Sequence, residues 1–184
     1  MSGKVNARHC GVTLWELLCV LAIAGTLVSL GVPAFRGFLL DARRTANVNG
    51  FVVAVQLSRS EAAKRGMPVV LCKTLDRRAC AGNESHFDSG WMVFVNTDDD
   101  RPPNRALDEE LLYFHAPQTT GSISANRRLF EFRPFGWRST NGTVTFCDDR
   151  GNAHARAVIV SYTGRPRVAA EGPGGRALKC ANSP

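Results

Sequence analysis

The sequence has little that an enzyme or a metalloprotein needs. It contains no G-x-S-x-G segment, no phosphate-binding Walker loop and no paired histidines. His86, His115 and His154 lie far apart, and we expect each to be a surface or loop residue, not a catalytic base. The cysteines beyond residue 35 include no C-x-x-C pair and have no histidine at ligand spacing, which argues against zinc. The sequence therefore predicts no enzyme activity, no cofactor and no metal.

One acidic run is the exception that we considered. The segment Asn96–Asn104 offers oxygen atoms from Asn96, Asp98 and Asp100, which Ca²⁺ can use as ligands. It lacks the central glycine and the distal glutamate of an EF-hand loop. We interpret the loop around Asp98–Asp100 as a solvated acidic turn and keep calcium binding as the alternative.

The cysteines beyond residue 35 form an even set, which is typical of disulfides in an exported domain: Cys72, Cys80, Cys147 and Cys180. Sequence alone allows three pairings. We favour Cys72–Cys80, which would close a short loop, and Cys147–Cys180, which would tie the C-terminal tail to a strand.

Charge is absent from Leu17 to Phe35, and the apolar stretch that begins at Val12 is long enough to cross a bilayer, which takes ~20 residues. Glu16 stands near its start, although a carboxylate in hydrocarbon costs on the order of 3 kcal/mol. Because of Glu16, an ordinary secretory signal fits poorly. Cleavage after Gly11 would create an ammonium group four residues before Glu16, one helical turn away, and so reduce that cost.

This arrangement resembles the class III leader of type IV pilins and pseudopilins. The resemblance implies that a prepilin peptidase cuts between Gly11 and Val12 and methylates the new N-terminus, and that Glu16 pairs with a neighbouring subunit during assembly. It also implies an inner-membrane protein that moves to the pilus or cell surface, with other minor and major pilins as partners. We therefore divide the chain into a leader (1–11), a single transmembrane assembly helix (12–35) and a periplasmic domain (36–184).

Beyond the apolar stretch, the residue pattern predicts one helix from about Leu14 to Arg65, ended by Gly66 and Pro68. Apolar residues at three- and four-residue steps predict its packing face: Phe35, Phe38, Leu39, Ala42, Ala46, Val53 and Leu57. Six β-rich runs follow: Pro68–Cys72, Trp91–Asn96, Leu111–His115, Leu129–Arg133, Thr143–Cys147 and Ala157–Tyr162. We expect them to form an antiparallel sheet packed on the helix, with a hairpin turn at Asn141-Gly142 between the fourth and fifth runs.

In this order the segments resemble the GspH/FimT group of minor pilins and pseudopilins along nearly the whole chain. The pieces that carry the resemblance are GVTLWE, VQLSRSEAAKRGMPVVLC, GWMVFVNTDDD, FEFRPFGW, NGTVTFCDD and SYTGRPR. The resemblance implies an α+β type IV pilin fold, in which a long N-terminal helix packs on an antiparallel β-sheet domain.

Acidic residues are scarce in the last third of the chain. From Arg127 to Pro184 there are 10 basic and 4 acidic residues, whereas Arg36 to Asn126 has 11 of each. Such an asymmetry favours a polyanionic partner. Within it lies GRPR, where Gly164 permits a turn and Pro166 stiffens the chain between Arg165 and Arg167. Two guanidinium groups at this spacing can face one side of an extended chain and span neighbouring phosphates.

GRPR is also similar to the C-terminal GRxR motif that FimT-type pilins of natural transformation carry for DNA binding. The resemblance implies a minor pilin that binds extracellular double-stranded DNA without sequence preference through Gly164, Arg165 and Arg167. Candidate supporting contacts are Arg127, Arg128, Arg133, Arg138, Arg156, Arg176 and Lys179. The alternative is a structural minor pilin or secretion pseudopilin that primes filament assembly, in which these arginines only pair with local carboxylates such as Asp148 and Asp149.

Overall fold

The fold is described from a computed structural model for residues 11, 13–83, 86–134 and 138–180. Val12, and with it the predicted cleavage bond, lies outside the described residues. Two compact units are present, and the boundary between them falls after Asp41.

The helix α1 covers Leu14–Arg65, as predicted, and continues through Pro33. Thr13 starts it, since its hydroxyl oxygen accepts a hydrogen bond from the Glu16 N–H at 3.2 Å and its carbonyl accepts one from the Leu17 N–H. The helix ends where Gly66 adopts φ 68° and its N–H bonds to the Ala62 carbonyl. By length and composition, α1 is able to cross a membrane.

Within the second unit, α1 buries a different face from the predicted one. Its buried residues are Val48, Phe51, Ala54, Val55, Ser58 and Ala62. The predicted stripe was wrong here, because Ala46 is exposed and Val53 is 53% exposed. Both sets of residues have helical spacing. The large side chain of Phe51 decides which set packs against the core.

Within the described ranges, eight strands follow α1 and form two four-stranded antiparallel sheets. The first sheet has the order β3-β2-β1-β5 and the second β4-β6-β7-β8. The strands are β1 Val69–Lys73, β2 Trp91–Val95, β3 Leu111–His115, β4 Ser122–Ala125, β5 Leu129–Phe132, β6 Gly142–Cys147, β7 Arg156–Val160 and β8 Pro166–Ala169. Short 3₁₀ turns occur at Phe87–Ser89 and Asn152–His154.

The six predicted strands are present, with ends that shift by one or two residues. The prediction missed β4 and β8 and combined two sheets into one. The hairpin at Asn141-Gly142 was wrong, because β5 pairs with β1 whereas β6 pairs with β4 and β7. The side-chain oxygen of Asn126 accepts a hydrogen bond from the Thr143 N–H at 2.8 Å and so helps to align the start of β6 with the end of β4. Asn141-Gly142 therefore marks a crossing between sheets.

The main core lies between the buried face of α1 and the inner faces of both sheets. The ring of Phe51 lies at its centre, with edge-on contacts at 5.8–5.9 Å between ring centroids to Phe87, Trp91, Phe130 and Phe146. These rings come from both sheets and from the 3₁₀ turn before β2. A single helix side chain thus joins both sheets.

The described part of the chain contains two disulfides, in the favoured pairing of Cys72 with Cys80 and Cys147 with Cys180. The first closes the loop after β1 over the outer cluster of the first sheet. The second joins the end of β6 to the C-terminal tail, where Leu178 packs against Ala155 and Ala157. Each disulfide therefore covers the outer side of one sheet.

We predict that Phe51→Ala lowers the free energy of unfolding by about 3–5 kcal/mol, because it removes the ring that four other rings contact. Val53→Ala, a truncation on the exposed face of the same helix, is expected to cost much less. Guanidinium unfolding of the fragment Arg36–Pro184 would measure both values. Equal losses in the two variants would contradict the assignment of the buried face.

Candidate functional site

The GRPR segment forms the tight connection between β7 and β8. The Gly164 N–H donates to the Ser161 carbonyl at 2.9 Å, and the Ser161 N–H donates to the Arg165 carbonyl at 3.1 Å. The Ser161 hydroxyl accepts a further bond from the Arg165 N–H. This pattern is a three-residue hairpin loop, in which the third residue must adopt a left-handed conformation. Gly164 does so, with φ 70°.

Space for a side chain is also tight at this position. A β-carbon on Gly164 would lie 3.0 Å from Cδ1 of Phe132 and 3.3 Å from Cδ of Arg59. The turn is therefore packed between β5 and α1. This packing of Gly164 fixes the position of the next residue, Arg165.

Both arginines of the motif are exposed. Arg167 pairs with Ile159 in the strand ladder. Because Val158 and Val160 belong to the core, Ile159 and Arg167 lie on the outer face of the second sheet. Pro166 lies on β8, an edge strand, where a residue without an N–H is tolerated.

The structure does not support the alternative in which Arg165 and Arg167 pair with local carboxylates. Among the described residues, neither Arg165 nor Arg167 forms an ion pair. Asp148 instead contacts Arg150 at 2.7 Å and Arg44 at 3.0 Å. The hydrogen bonds from Arg150 hold the pKa of the Asp148 carboxyl below its ordinary value.

The candidate supporting residues fall into separate groups. Arg127 and Arg138 lie at the same end of the second sheet as the β7–β8 turn. The guanidinium of Arg127 donates to the Asn141 carbonyl, and that of Arg138 lies 4.0 Å from the ring centre of Tyr162. We call Arg127, Arg138, Arg165 and Arg167 the basic corner.

The other candidates lie elsewhere or are already paired. Arg156 begins β7 at the opposite end of the sheet, and Arg176 and Lys179 follow the distal end of β8. Arg133 pairs with Glu131 at 2.8 Å, and Arg128 lies near Lys73, whose pKa is lowered by burial and by that positive charge. These five residues do not extend the basic corner.

One exposed arginine escaped the sequence analysis. Arg59 lies on α1 and lines a groove that also contains Arg165 and Pro166. The sequence does not single it out, since nothing in it shows which helix face meets the β7–β8 turn. Only the three-dimensional fold brings Arg59 beside the GRPR segment.

The remaining candidates from the sequence are the acidic turn and the three histidines. In the acidic turn, an Asp98 oxygen accepts from the Asp100 N–H, and the Asp100 carboxylate accepts from the Asn104 N–H. No group of three or more potential metal-binding side chains occurs within the described ranges. His86 and His154 are exposed as expected, but the prediction was wrong for His115. That residue ends β3, stacks on Trp91 at 3.8 Å between ring centroids, and has its pKa lowered by burial.

We predict that Gly164→Ala lowers the free energy of unfolding by roughly 2–4 kcal/mol, from left-handed backbone strain plus the close contact with Phe132. Gly174→Ala is the matched control, since Gly174 has φ 74° but nothing within 4 Å of its added carbon. It should show the backbone cost alone, about 1 kcal/mol. Denaturant unfolding of both variants would measure the difference, and an equal loss would mean that the packing at Gly164 is unimportant.

Comparison with solved structures gives the fold a counterpart. The type IV minor pilin FimU of Pseudomonas aeruginosa matches in two crystal forms, at 15% sequence identity. In one form the match covers 74% of this chain and 98% of FimU with a TM-score of 0.53, and in the other 76% and 95% with a TM-score of 0.54. At this identity the likeness concerns the fold. Among curated proteins, none matches the sequence.

The sequence itself carries the family assignment. Residues 47–164 match the family described as type II transport protein GspH. This range includes the buried residues of α1, seven of the eight strands and Gly164. Since the match spans more than half of the chain and the fold is that of a type IV pilin, the chain belongs to the GspH family, as a minor pilin or pseudopilin.

Proposed function

We propose that this minor pilin binds extracellular double-stranded DNA without sequence preference and serves DNA uptake in natural transformation. The observation that carries the proposal is the pair Arg165 and Arg167, exposed on a rigid edge hairpin without a carboxylate partner among the described residues. The proposed role is one of binding and assembly, with no catalytic step.

The geometry suits phosphate recognition. Two residues of extended chain span about 7 Å, a distance of the same order as that between neighbouring phosphates of one strand. Guanidinium groups match phosphate oxygens as paired donors, and the stiff turn leaves little conformational entropy to lose. Arg127 and Arg138 add positive charge at the same end of the sheet. The described residues provide no helix that could enter a groove and read bases, so binding would follow the phosphates.

Assembly would use the N-terminal segment. We propose that a prepilin peptidase removes residues 1–11 and leaves Val12 as a methylated N-terminus. Residues 12–35 would then hold the chain in the inner membrane, and Glu16 would pair with the terminal amine of a neighbouring pilin. Residues 36–184 would form the periplasmic domain that later reaches the pilus or cell surface.

The second candidate function is a purely structural pseudopilin of type II secretion, which primes filament assembly without binding DNA. The description of the matching family, a type II transport protein, favours it. It leaves Arg165 and Arg167, which form no ion pair among the described residues, without a role.

We expect the fragment Arg36–Pro184, with both disulfides formed, to bind unrelated DNA duplexes with equal affinity. Affinity should fall steeply with salt, because each neutralised phosphate contributes about 0.9 to the slope of log K against log salt. The double variant Arg165→Ala, Arg167→Ala should lose most of the affinity and should have a smaller slope. Fluorescence anisotropy at several salt concentrations would measure both.

The matched control is Arg176→Ala, Lys179→Ala, which removes the same charge from exposed residues at the opposite end of the sheet. It should bind nearly as the wild type does. If the two double variants weaken binding equally, net charge and not the motif is responsible. If the wild type does not bind even at low salt, the structural pseudopilin becomes the better assignment.

For the N-terminal segment we predict a mature chain that starts at methylated Val12. The measurement is intact-mass and N-terminal peptide mass spectrometry of the protein made in a host with a prepilin peptidase. Gly11→Ala should block cleavage, since the small glycine precedes the predicted scissile bond. A mature chain that starts near Val32 would instead indicate an ordinary secretory signal.

A further inference from the structure

A groove of about 590 Å³ runs between α1 and the β7–β8 turn. One wall consists of residues from α1: Gln56, Arg59, Ser60 and Ala63. Their spacing of three and four residues places them on one helix face. The other wall consists of Arg165 and Pro166. All six residues belong to the second compact unit.

The groove is positive on both walls. Arg59 and Arg165 are exposed, neither has an ion pair among the described residues, and no carboxylate lines the groove. The nearest acidic residue on the helix, Glu61, is bound to Arg65 at 2.6 Å. Two cations brought together without a counter-charge raise the local positive potential and attract an anion.

The fold holds the two walls at a fixed separation. Gly164, the residue before Arg165, packs against the stem of Arg59, so that an added carbon there would lie 3.3 Å from Arg59 Cδ. The stem of Arg59 is thus part of the support for the turn, while its guanidinium stays exposed. Preorganised cations lose less entropy when they bind.

The neutral residues of the groove suit a ligand with both polar and apolar parts. Gln56 offers an exposed amide, whereas Ala63 and Pro166 offer apolar surface. A free phosphate would leave most of the groove unfilled, but a sugar–phosphate chain carries spaced anions and apolar sugar edges. Arg167 lies two residues beyond Arg165 on β8, outside the groove lining and on the outer face of the second sheet.

We infer that this groove holds the backbone of one DNA strand, with Arg59 and Arg165 contacting phosphates from opposite walls. The inference rests on the proposed DNA binding and adds to it a contact on α1, outside the GRPR motif. Arg59 is then a phosphate-binding residue in its own right, and Gln56 and Ser60 lie along the bound strand.

The test uses the full chain in nonionic detergent, titrated with a fluorescent DNA duplex at several salt concentrations. Arg59→Gln should weaken binding by on the order of five- to tenfold at low salt and reduce the salt slope by about 0.9, equally for unrelated sequences. Arg43→Gln is the matched control, since it removes one exposed arginine from the same helix outside the groove. It should leave the affinity within about twofold.

The outcomes separate this inference from the function on which it rests. If Arg59→Gln binds like Arg43→Gln while Arg165→Ala, Arg167→Ala loses binding, the groove is not used but the proposed function stands. If the wild-type chain does not bind DNA, both are overturned. Circular dichroism of each variant would verify that it is folded.

A second pair of variants leaves every arginine in place. Gln56→Glu puts a negative charge inside the groove and should weaken DNA binding at least as much as Arg59→Gln does. Thr45→Glu adds the same charge to an exposed position about 16 Å away along α1, beyond the screening distance at physiological salt. Equal effects of Gln56→Glu and Thr45→Glu would overturn the groove as the binding site.

Discussion

The contact of Phe51 with rings from both sheets is the interaction on which the globular unit depends. Neither four-stranded sheet has a second layer of its own, and each buries its inner face against α1 and against the other sheet. Both β5 and β7 meet this core. Phe132 of β5 packs against Gly164, and Val160 of β7 anchors the chain just before the turn. The position of the basic corner is therefore a consequence of helix packing.

This packing also decides which arginines of α1 have an acidic partner. The side chains of Arg44 and Arg65 extend from α1 and form ion pairs with Asp148 and Glu110, respectively. These pairs connect the helix to the loops around it. Arg59 lies between them on the chain and meets no carboxylate in the described part of the protein. Structural arginines and candidate binding arginines thus differ in whether the fold gives them an acidic partner.

The sequence predicted the features that depend on local chemistry. The bounds of α1 and six strands followed from residue periodicity and turn residues, and the disulfide pairing found is the one favoured among the three that the sequence allows. Features set by distant contacts were missed. Short strands such as β4 and β8 are stabilised by their neighbours, and β8 contains a proline that argues against a strand. Arg59 could not be found because the rotation of α1 is decided by Phe51 and the sheets.

The disulfide between Cys147 and Cys180 closes a covalent loop that contains β7, the GRPR turn and β8. If a protease cut the exposed turn, the two resulting pieces would therefore stay joined to each other through this disulfide. The strand ladder and the disulfide would hold the cut ends together. In the uncut protein, the closed loop also lowers the conformational entropy that the chain gains on unfolding. This exposed turn is thus also one that cleavage does not release from the protein.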